Sequence, residues 1–184
     1  FLVEGRKSVE VLLHSRLTVT EIFATERAFQ ENQQLLKRKD VTLVSEVEMS
    51  RLSTMTTPPE LLAIAKQAPV SLKLDDSRPI IVLDRISDPG NLGTIIRTAD
   101  WFNFHQIVCS PDCVELYNPK TIQATMGSFC SAQVMYTDLV DFLKAKAGKR
   151  RILGTFMQGT PITECKFQPN HLIIIVSESH GISA

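Results

Sequence analysis

The chain has 184 residues, 43% of them hydrophobic, and its 20 lysines and arginines balance its 20 aspartates and glutamates. This length accommodates one large or two small globular domains, and the balanced charge requires any nucleic-acid partner to be met by a local basic patch. We expect no membrane partner, because no apolar run approaches the ~18 residues that span a bilayer.

The four cysteines do not form a metal-binding pattern. Cys109, Cys113, Cys130 and Cys165 include no CxxC pair and no histidine at matching spacing, so no zinc or other metal is expected. Without an export signal, reduced thiols in a cytoplasmic protein are the default prediction.

Residues 1–68 predict a compact α/β unit in which short helices and strands alternate. The predicted helices are Val9 to Leu13, Arg27 to Lys39 and Val47 to Leu52; the predicted strands are Glu21 to Ala24, Val41 to Val44 and Leu61 to Ala65. Residues 69–78 contain a proline and an acidic pair without hydrophobic periodicity, and are predicted to be a linker.

Residues 79–184 again alternate strand-like and helical segments, as a parallel α/β sheet requires. The predicted strands are 80–83, 106–109, 132–136, 152–156 and 172–176, with helices around 92–99, 119–126 and 139–147. In isolation this pattern predicts a doubly wound nucleotide-binding fold, in which ligands collect at the carboxyl ends of the strands.

The segment Ile80 to Ala99 reads as a strand, a turn and a helix. The turn Asp88-Pro89-Gly90-Asn91 predicts a tight corner, with Asn91 capping a helix from Leu92 and with Gly93 allowing a backbone or ligand to come close. Arg97 lies between one and two turns beyond Asn91, so both could face one large anionic group. An ordinary βα loop would have the same spacing, so the spacing alone leaves both interpretations open.

Four sequence blocks resemble one family. The run DPGNLGTIIRTA at 88–99 is similar to the first signature motif of the SpoU (TrmH-like) RNA ribose methyltransferases of the SPOUT superfamily, and SESHGIS at 177–183 resembles the second. FLVEG at 1–5 and TPPELLA at 57–63 resemble that family's N-terminal substrate-binding domain, an α/β fold shared with ribosomal proteins that bind kinked RNA.

The resemblance implies a trefoil-knotted parallel-sheet domain that transfers a methyl group from S-adenosyl-L-methionine to a ribose 2′-hydroxyl of rRNA or tRNA, in a homodimer without a metal. Carried over by position, Arg97, Asn91 and Glu178 are the catalytic candidates. Thr155, Gly159, Glu178, Gly181 and Ile182 are the cofactor-binding candidates.

Two departures from the family pattern keep another interpretation open. Val176 stands where the family usually has glycine, and the sequence ends at Ala184 before the family's third motif, so the knot is incomplete in these residues. A non-catalytic RNA-binding module with the same fold is the alternative. A dinucleotide-dependent oxidoreductase is a third interpretation, but no GxGxxG follows the strand at Ile80.

Overall fold

The computed structural model describes residues 1–184 except Arg38, 69–72, 156–158, Pro169 and 177–184. Its N-terminal part is a four-stranded mixed sheet in the order β1-β4-β2-β3, with helices packed against it. The elements are β1 (Leu2–Glu4), α1 (Arg6–Leu13), β2 (Val19–Ala24), α2 (Glu26–Glu31), α3 (Gln33–Leu36), β3 (Thr42–Leu43), α4 (Glu46–Leu52) and β4 (Leu61–Ala65).

The single helix predicted from Arg27 to Lys39 is wrong, because the helix breaks at Asn32. This residue is buried, leaves helical geometry at φ −117° and ψ 25°, and separates α2 from α3. Its side-chain Nδ2 donates to the carbonyl of Ala28 at 2.7 Å, which is the side-chain-to-backbone competition that makes asparagine unfavourable inside helices.

The second part of the described chain contains a five-stranded parallel sheet in the order β7-β6-β5-β9-β8, which confirms the predicted parallel α/β architecture. Its elements are β5 (Ile80–Asp84), α5 (Pro89–Trp101), β6 (Gln106–Cys109), α6 (Pro119–Thr125), β7 (Gln133–Tyr136), α7 (Leu139–Lys146), β8 (Ile152–Gly154) and β9 (Leu172–Val176). No helix of the described residues is both long and apolar enough to cross a membrane.

The central strand β5 is buried along its whole length because helices cover both faces of the sheet. Ile81 and Leu83 join a hydrophobic cluster that includes Ile96 of α5, whereas Ile80 and Val82 join a separate cluster that includes Leu139 of α7. Successive residues of a strand point to opposite faces, so two apolar faces require the continuous apolar run that the sequence has here.

The hydrophobic cluster on the α5 side continues into the N-terminal sheet. The Phe1 ring lies 4.4 Å from that of Tyr117 and 5.8 Å from that of Phe129, measured between ring centroids. Helix α6 also packs against β1. The two sheets therefore share apolar contacts that involve β1, α5 and α6.

The order of the parallel strands fixes where a site can form. The chain moves outward from β5 to β6 and β7, and then returns on the other side, where β9 lies between β5 and β8. The carboxyl ends of β5, β9 and β8 lie at one edge of the sheet, at the reversal of strand order where open parallel sheets bind ligands.

Candidate active site

The loop that leaves β5 is held by hydrogen bonds from the neighbouring strand end. Arg85 adopts a left-handed backbone at φ 57°, and its N–H donates to Ser110 Oγ at 2.9 Å. The N–H of Ile86 donates to Cys113 Sγ at 3.3 Å. A non-glycine residue held in this region is strained, and such positions cluster at functional sites. The sequence pattern gave no indication that Arg85 holds this conformation.

Helix α5 begins three residues earlier than predicted, and Asp88 rather than Asn91 is its N-cap. Asp88 Oδ1 accepts a hydrogen bond from the N–H of Asn91 at 2.8 Å, and Pro89 occupies the first helical turn. Aspartate is a preferred cap, and proline suits the position after it because its fixed φ is helical and its missing N–H is not needed there. The Asn91 side chain is therefore not committed to capping.

Helix α5 presents its two candidate catalytic residues on its exposed side. Leu92, Ile96 and Ala99 are buried against the sheet, whereas Asn91 and Arg97 are exposed. Within the described part of the chain, the Arg97 guanidinium has no hydrogen bond or ion pair. Asn91 and Arg97 lie about 9 Å apart along the axis, at 1.5 Å per residue. An extended polyanion, rather than a small ion, would span both.

Gly93 allows the close approach that the sequence predicts, and the group that approaches is helix α6. A Cβ added at Gly93 would lie 2.4 Å from Ala124 Cβ and 2.8 Å from the carbonyl oxygen of Thr121. Gly93 therefore allows α6 to pack directly on α5.

A cavity of about 690 Å³ opens between the segment after α4 and the N-terminal ends of α5 and α6. One wall is the segment Thr54–Thr57, and the facing wall includes Pro89 of α5 and Lys120 of α6. Asn118 also lines the cavity and caps α6, because its Oδ1 accepts from the N–H of Lys120 at 3.0 Å. The sequence motifs did not identify Lys120 as a lining residue, because a single exposed lysine forms no recognisable sequence pattern.

The predicted cofactor residues are only partly within the described chain. Thr155 follows β8, and both its N–H and its hydroxyl donate to the carbonyl of Ile174 in β9, at 3.0 and 3.1 Å. Gly159 is exposed, with open space where a Cβ would stand. Glu178, Gly181 and Ile182 lie outside the described residues. The assembly of these five residues into one pocket stays a prediction.

Two neighbouring buried thiols, Cys109 and Cys113, lie beneath the loop after β5. The pKa of the Cys113 thiol is lowered to about 6, chiefly by a hydrogen bond from Cys109 and further by Ser110 and the N–H of Ile86. The same contact, together with burial, raises the pKa of Cys109. Among the described residues, no group of three or more His, Cys, Asp or Glu side chains could hold a metal ion.

The second part of the chain is an α/β domain suited to a nucleotide-containing ligand, because its sheet is parallel and Asn91 and Arg97 are exposed at the carboxyl edge. Comparison with known proteins identifies its family. Residues 78–184 match the SpoU rRNA Methylase family, and residues 1–63 match the MRM3-like substrate binding domain. The chain belongs to the SpoU rRNA methylase family, which confirms the resemblance found in its motifs.

Individual relatives agree with this assignment. The 23S rRNA (guanosine(2553)-2′-O)-methyltransferase RlmP of Bacillus subtilis is 31% identical over 188 residues, which cover 100% of this chain and 74% of RlmP. The mitochondrial rRNA methyltransferase 3 of Mus musculus is 29% identical over 136 residues, which cover 69% of this chain and 32% of the mouse protein. The chain thus spans about three quarters of the first relative and about a third of the second.

Solved structures show the same fold. A protein from Porphyromonas gingivalis, assigned as an RNA methyltransferase of the TrmH family, superposes with a TM-score of 0.83 at 28% identity and covers 100% of this chain and 74% of its own. The SpoU methyltransferase AviRb of Streptomyces viridochromogenes, solved with AdoMet, has a TM-score of 0.83 at 22% identity, with coverage of 100% and 75%. This second likeness concerns the fold alone.

Proposed function

We propose that this chain methylates a ribose 2′-hydroxyl of ribosomal RNA with S-adenosylmethionine as methyl donor. The observation that carries the proposal is the exposed pair Asn91 and Arg97 on α5, at the carboxyl edge of the central strand, in a member of the SpoU family. We choose ribosomal RNA among the possible RNA substrates because relatives of this chain, RlmP among them, are named as rRNA methyltransferases.

Arg97 acts in this proposal as an electrostatic group rather than as a base. A guanidinium is a weak base with a pKa above ~12, so it does not abstract the proton of a ribose hydroxyl. Its planar donors bind the adjoining phosphate and stabilise the alkoxide charge that develops as the hydroxyl attacks. Asn91 lies one to two turns away on the exposed side and positions the ribose or phosphate, and Glu178 orients the substrate or Arg97.

The described edge of the sheet fits S-adenosylmethionine in one respect. The chain after β8 leaves open space at Gly159, so a ligand can approach its backbone there. Thr155 and Gly159 would flank the cofactor, with Glu178, Gly181 and Ile182 completing the pocket. When bound, the cofactor supplies an activated methyl group on its sulfonium. The protein's part is to hold the 2′-hydroxyl in line with that group.

The organisation of the whole protein is part of the proposal. Residues 1–68 bind the RNA substrate, 69–78 link the domains, and 79–184 form the methyltransferase domain. Residues 79–184 form part of a trefoil knot that is incomplete within them, and the active protein is a cytoplasmic homodimer. The match of residues 1–63 to a substrate binding domain supports the first of these assignments.

Transfer of tritiated methyl groups to unmodified RNA tests the function. The full-length protein is incubated with labelled S-adenosylmethionine and either a 23S rRNA transcript or bulk unmodified tRNA, and 2′-O-methyl sites are then mapped. We expect one site in the 23S transcript and none in tRNA. Methylation of tRNA alone would overturn the choice of rRNA. Tight binding of either RNA with no transfer would instead indicate the non-catalytic RNA-binding module.

A further inference from the structure

Glu4, at the end of β1, is a buried carboxylate whose partners come from the segment after α4 and from helix α6. Its Oε1 accepts from Ser53 Oγ at 2.5 Å and from the N–H of Thr54 at 3.1 Å. Its Oε2 accepts from Thr54 Oγ1 at 2.5 Å and from Nε2 of Gln123, in α6, at 3.4 Å. Only 6% of the residue is exposed.

These four hydrogen bonds account for the burial of a charged side chain. A carboxylate has about four lone-pair sites, and an unsatisfied buried carboxylate would be costly. Each carboxylate oxygen of Glu4 accepts from one N–H donor, Thr54 N for Oε1 and Gln123 Nε2 for Oε2. An alanine at position 4 removes this acceptor, so the segment after α4 and helix α6 lose the side chain that joins them.

The segment that Glu4 holds is a wall of the 690 Å³ cavity. Ser53 and Thr54 begin the run whose next residues, through Thr57, line the cavity opposite Pro89 and Lys120. Glu4 itself does not line this cavity. Its carboxylate therefore fixes the position of the wall relative to α6 without touching whatever occupies the space.

The groups around the cavity suit a segment of RNA backbone. Thr54, Thr56 and Thr57 place hydroxyl-bearing residues along one wall, and Lys120 places an ammonium group on the other. Hydroxyls, amides and lysines are the side chains that contact phosphate and sugar oxygens without reading the base. The adjoining helix α5 carries Asn91 and Arg97, so the cavity lies next to the proposed site of methyl transfer.

We propose that Glu4 is a positioning residue for RNA. Its carboxylate holds the segment Ser53–Thr57 against α6, and so sets the width of the cleft in which RNA flanking the methylated nucleotide binds. This inference rests on the proposed function for the identity of the ligand. It assigns Glu4 an effect on RNA affinity and on KM for RNA, and none on cofactor binding or on the chemical step.

The test uses a substitution and a matched control in the full-length protein. Glu4→Ala removes the carboxylate and with it all four hydrogen bonds that join Ser53 and Thr54 to α6. Glu48→Ala is the control, because the Glu48 carboxylate also accepts two hydrogen bonds, from Ser45 N and Oγ, but does not line the cavity.

Two measurements separate the inference from the proposed function. Filter binding gives the Kd for an unmodified 23S rRNA transcript without requiring catalysis, and methyl transfer gives KM and kcat. For Glu4→Ala we expect Kd and KM for RNA to rise about tenfold, with kcat and the Kd for S-adenosylmethionine within about twofold of wild type. Glu48→Ala should match wild type.

Unchanged RNA affinity in a folded Glu4→Ala variant would overturn the inference, as would a loss confined to kcat. If Glu4→Ala does not fold, Ser53→Ala replaces it, because Ser53 donates to Glu4 and does not line the cavity. Wild-type protein that binds the transcript without methylating it would contradict the proposed function while leaving the binding test of Glu4 valid.

Discussion

At the scale of single residues, Arg97 combines exposure with a lack of protein partners. Its guanidinium has no hydrogen bond or ion pair within the described residues, and the side chain extends from a helix whose opposite side is buried. A side chain in this position contributes little to stability, so its replacement tests function with little effect on folding. Because its replacement should affect catalysis and hardly affect stability, Arg97 gives the most direct test of the proposed chemistry.

Replacing Arg97 with alanine should abolish most methyl transfer while cofactor binding is retained. Loss of a group that stabilises developing charge lowers kcat by about 10²- to 10³-fold. Arg97→Lys should fall between alanine and wild type, because lysine keeps the charge and loses the planar pair of donors. The measurements are single-turnover transfer to a 23S rRNA transcript and calorimetric titration with S-adenosylmethionine.

Lys144→Ala is the control for the loss of one positive charge, since Lys144 is exposed in the last turn of α7, which packs on the other face of the sheet. It should transfer methyl groups at the wild-type rate. Undiminished transfer by Arg97→Ala would remove Arg97 from the mechanism.

Cys113 and Cys130 line one cavity of about 870 Å³ but have opposite shifts in pKa. The pKa of Cys113 is lowered to about 6, chiefly by the hydrogen bond from Cys109, whereas burial raises the pKa of Cys130 to about 11. The thiolate is the reactive form, and its fraction rises as the pH passes through the pKa. At pH 7, the thiolate fraction of Cys113 is therefore higher than that of Cys130.

Iodoacetamide should accordingly modify Cys113 faster than Cys130 at pH 7, with a midpoint near pH 6 for Cys113. Peptide mass spectrometry over pH 5 to 9 measures both rates in one sample. Cys109→Ala should move the Cys113 midpoint to higher pH, because it removes the largest cause of the shift. Faster labelling of Cys130 at pH 7 would contradict this ordering of the two thiols.

At the scale of secondary-structure elements, the contact between α5 and α6 depends on the absence of a side chain. Glycine is a poor helix former, and Gly→Ala in an exposed helix interior usually stabilises by about 1 kcal/mol. At Gly93 the sign should reverse, because the new methyl group would overlap Ala124 and the Thr121 carbonyl.

Gly93→Ala should therefore destabilise the protein by about 1 to 3 kcal/mol, the usual cost of overpacking a core. Urea unfolding followed by circular dichroism gives the free energy of unfolding. Thr94→Ala is the matched control, since Thr94 is the next residue of α5 and is exposed; its effect should stay within about 0.5 kcal/mol. A stabilised Gly93→Ala variant would show that α6 shifts away at no cost.

The sequence predicts the buried strands better than it predicts the starts and breaks of the helices. Strands β5, β6 and β9 were predicted to within one residue, because long apolar runs between turn residues identify buried strands. Asn91 was assigned the cap that belongs to Asp88, because both residue types cap helices and only the observed hydrogen bond distinguishes them. The break at Asn32 depends on a side-chain hydrogen bond, which a hydrophobic pattern does not record.

At the scale of the whole molecule, the sequence predicted two α/β units but not how they pack. The contacts between them involve single residues, such as Phe1 against Tyr117 and Glu4 against Gln123, each far apart in the chain. Hydrophobic periodicity describes each element's own buried face and carries no information about its partner. The candidate site was predictable at its motif residues, whereas the cavity wall at Thr54–Thr57 depends on tertiary contacts.

The strand order also has a consequence for synthesis on the ribosome. Ile80 of β5 pairs with Leu172 of β9, so one side of the central strand stays unpaired until nearly all of the described chain has been made. At about 5 to 20 residues per second, this interval is on the order of ten seconds. During that time an apolar strand edge is open to pairing with other chains, and we expect the nascent protein to depend on chaperones until β9 enters between β5 and β8.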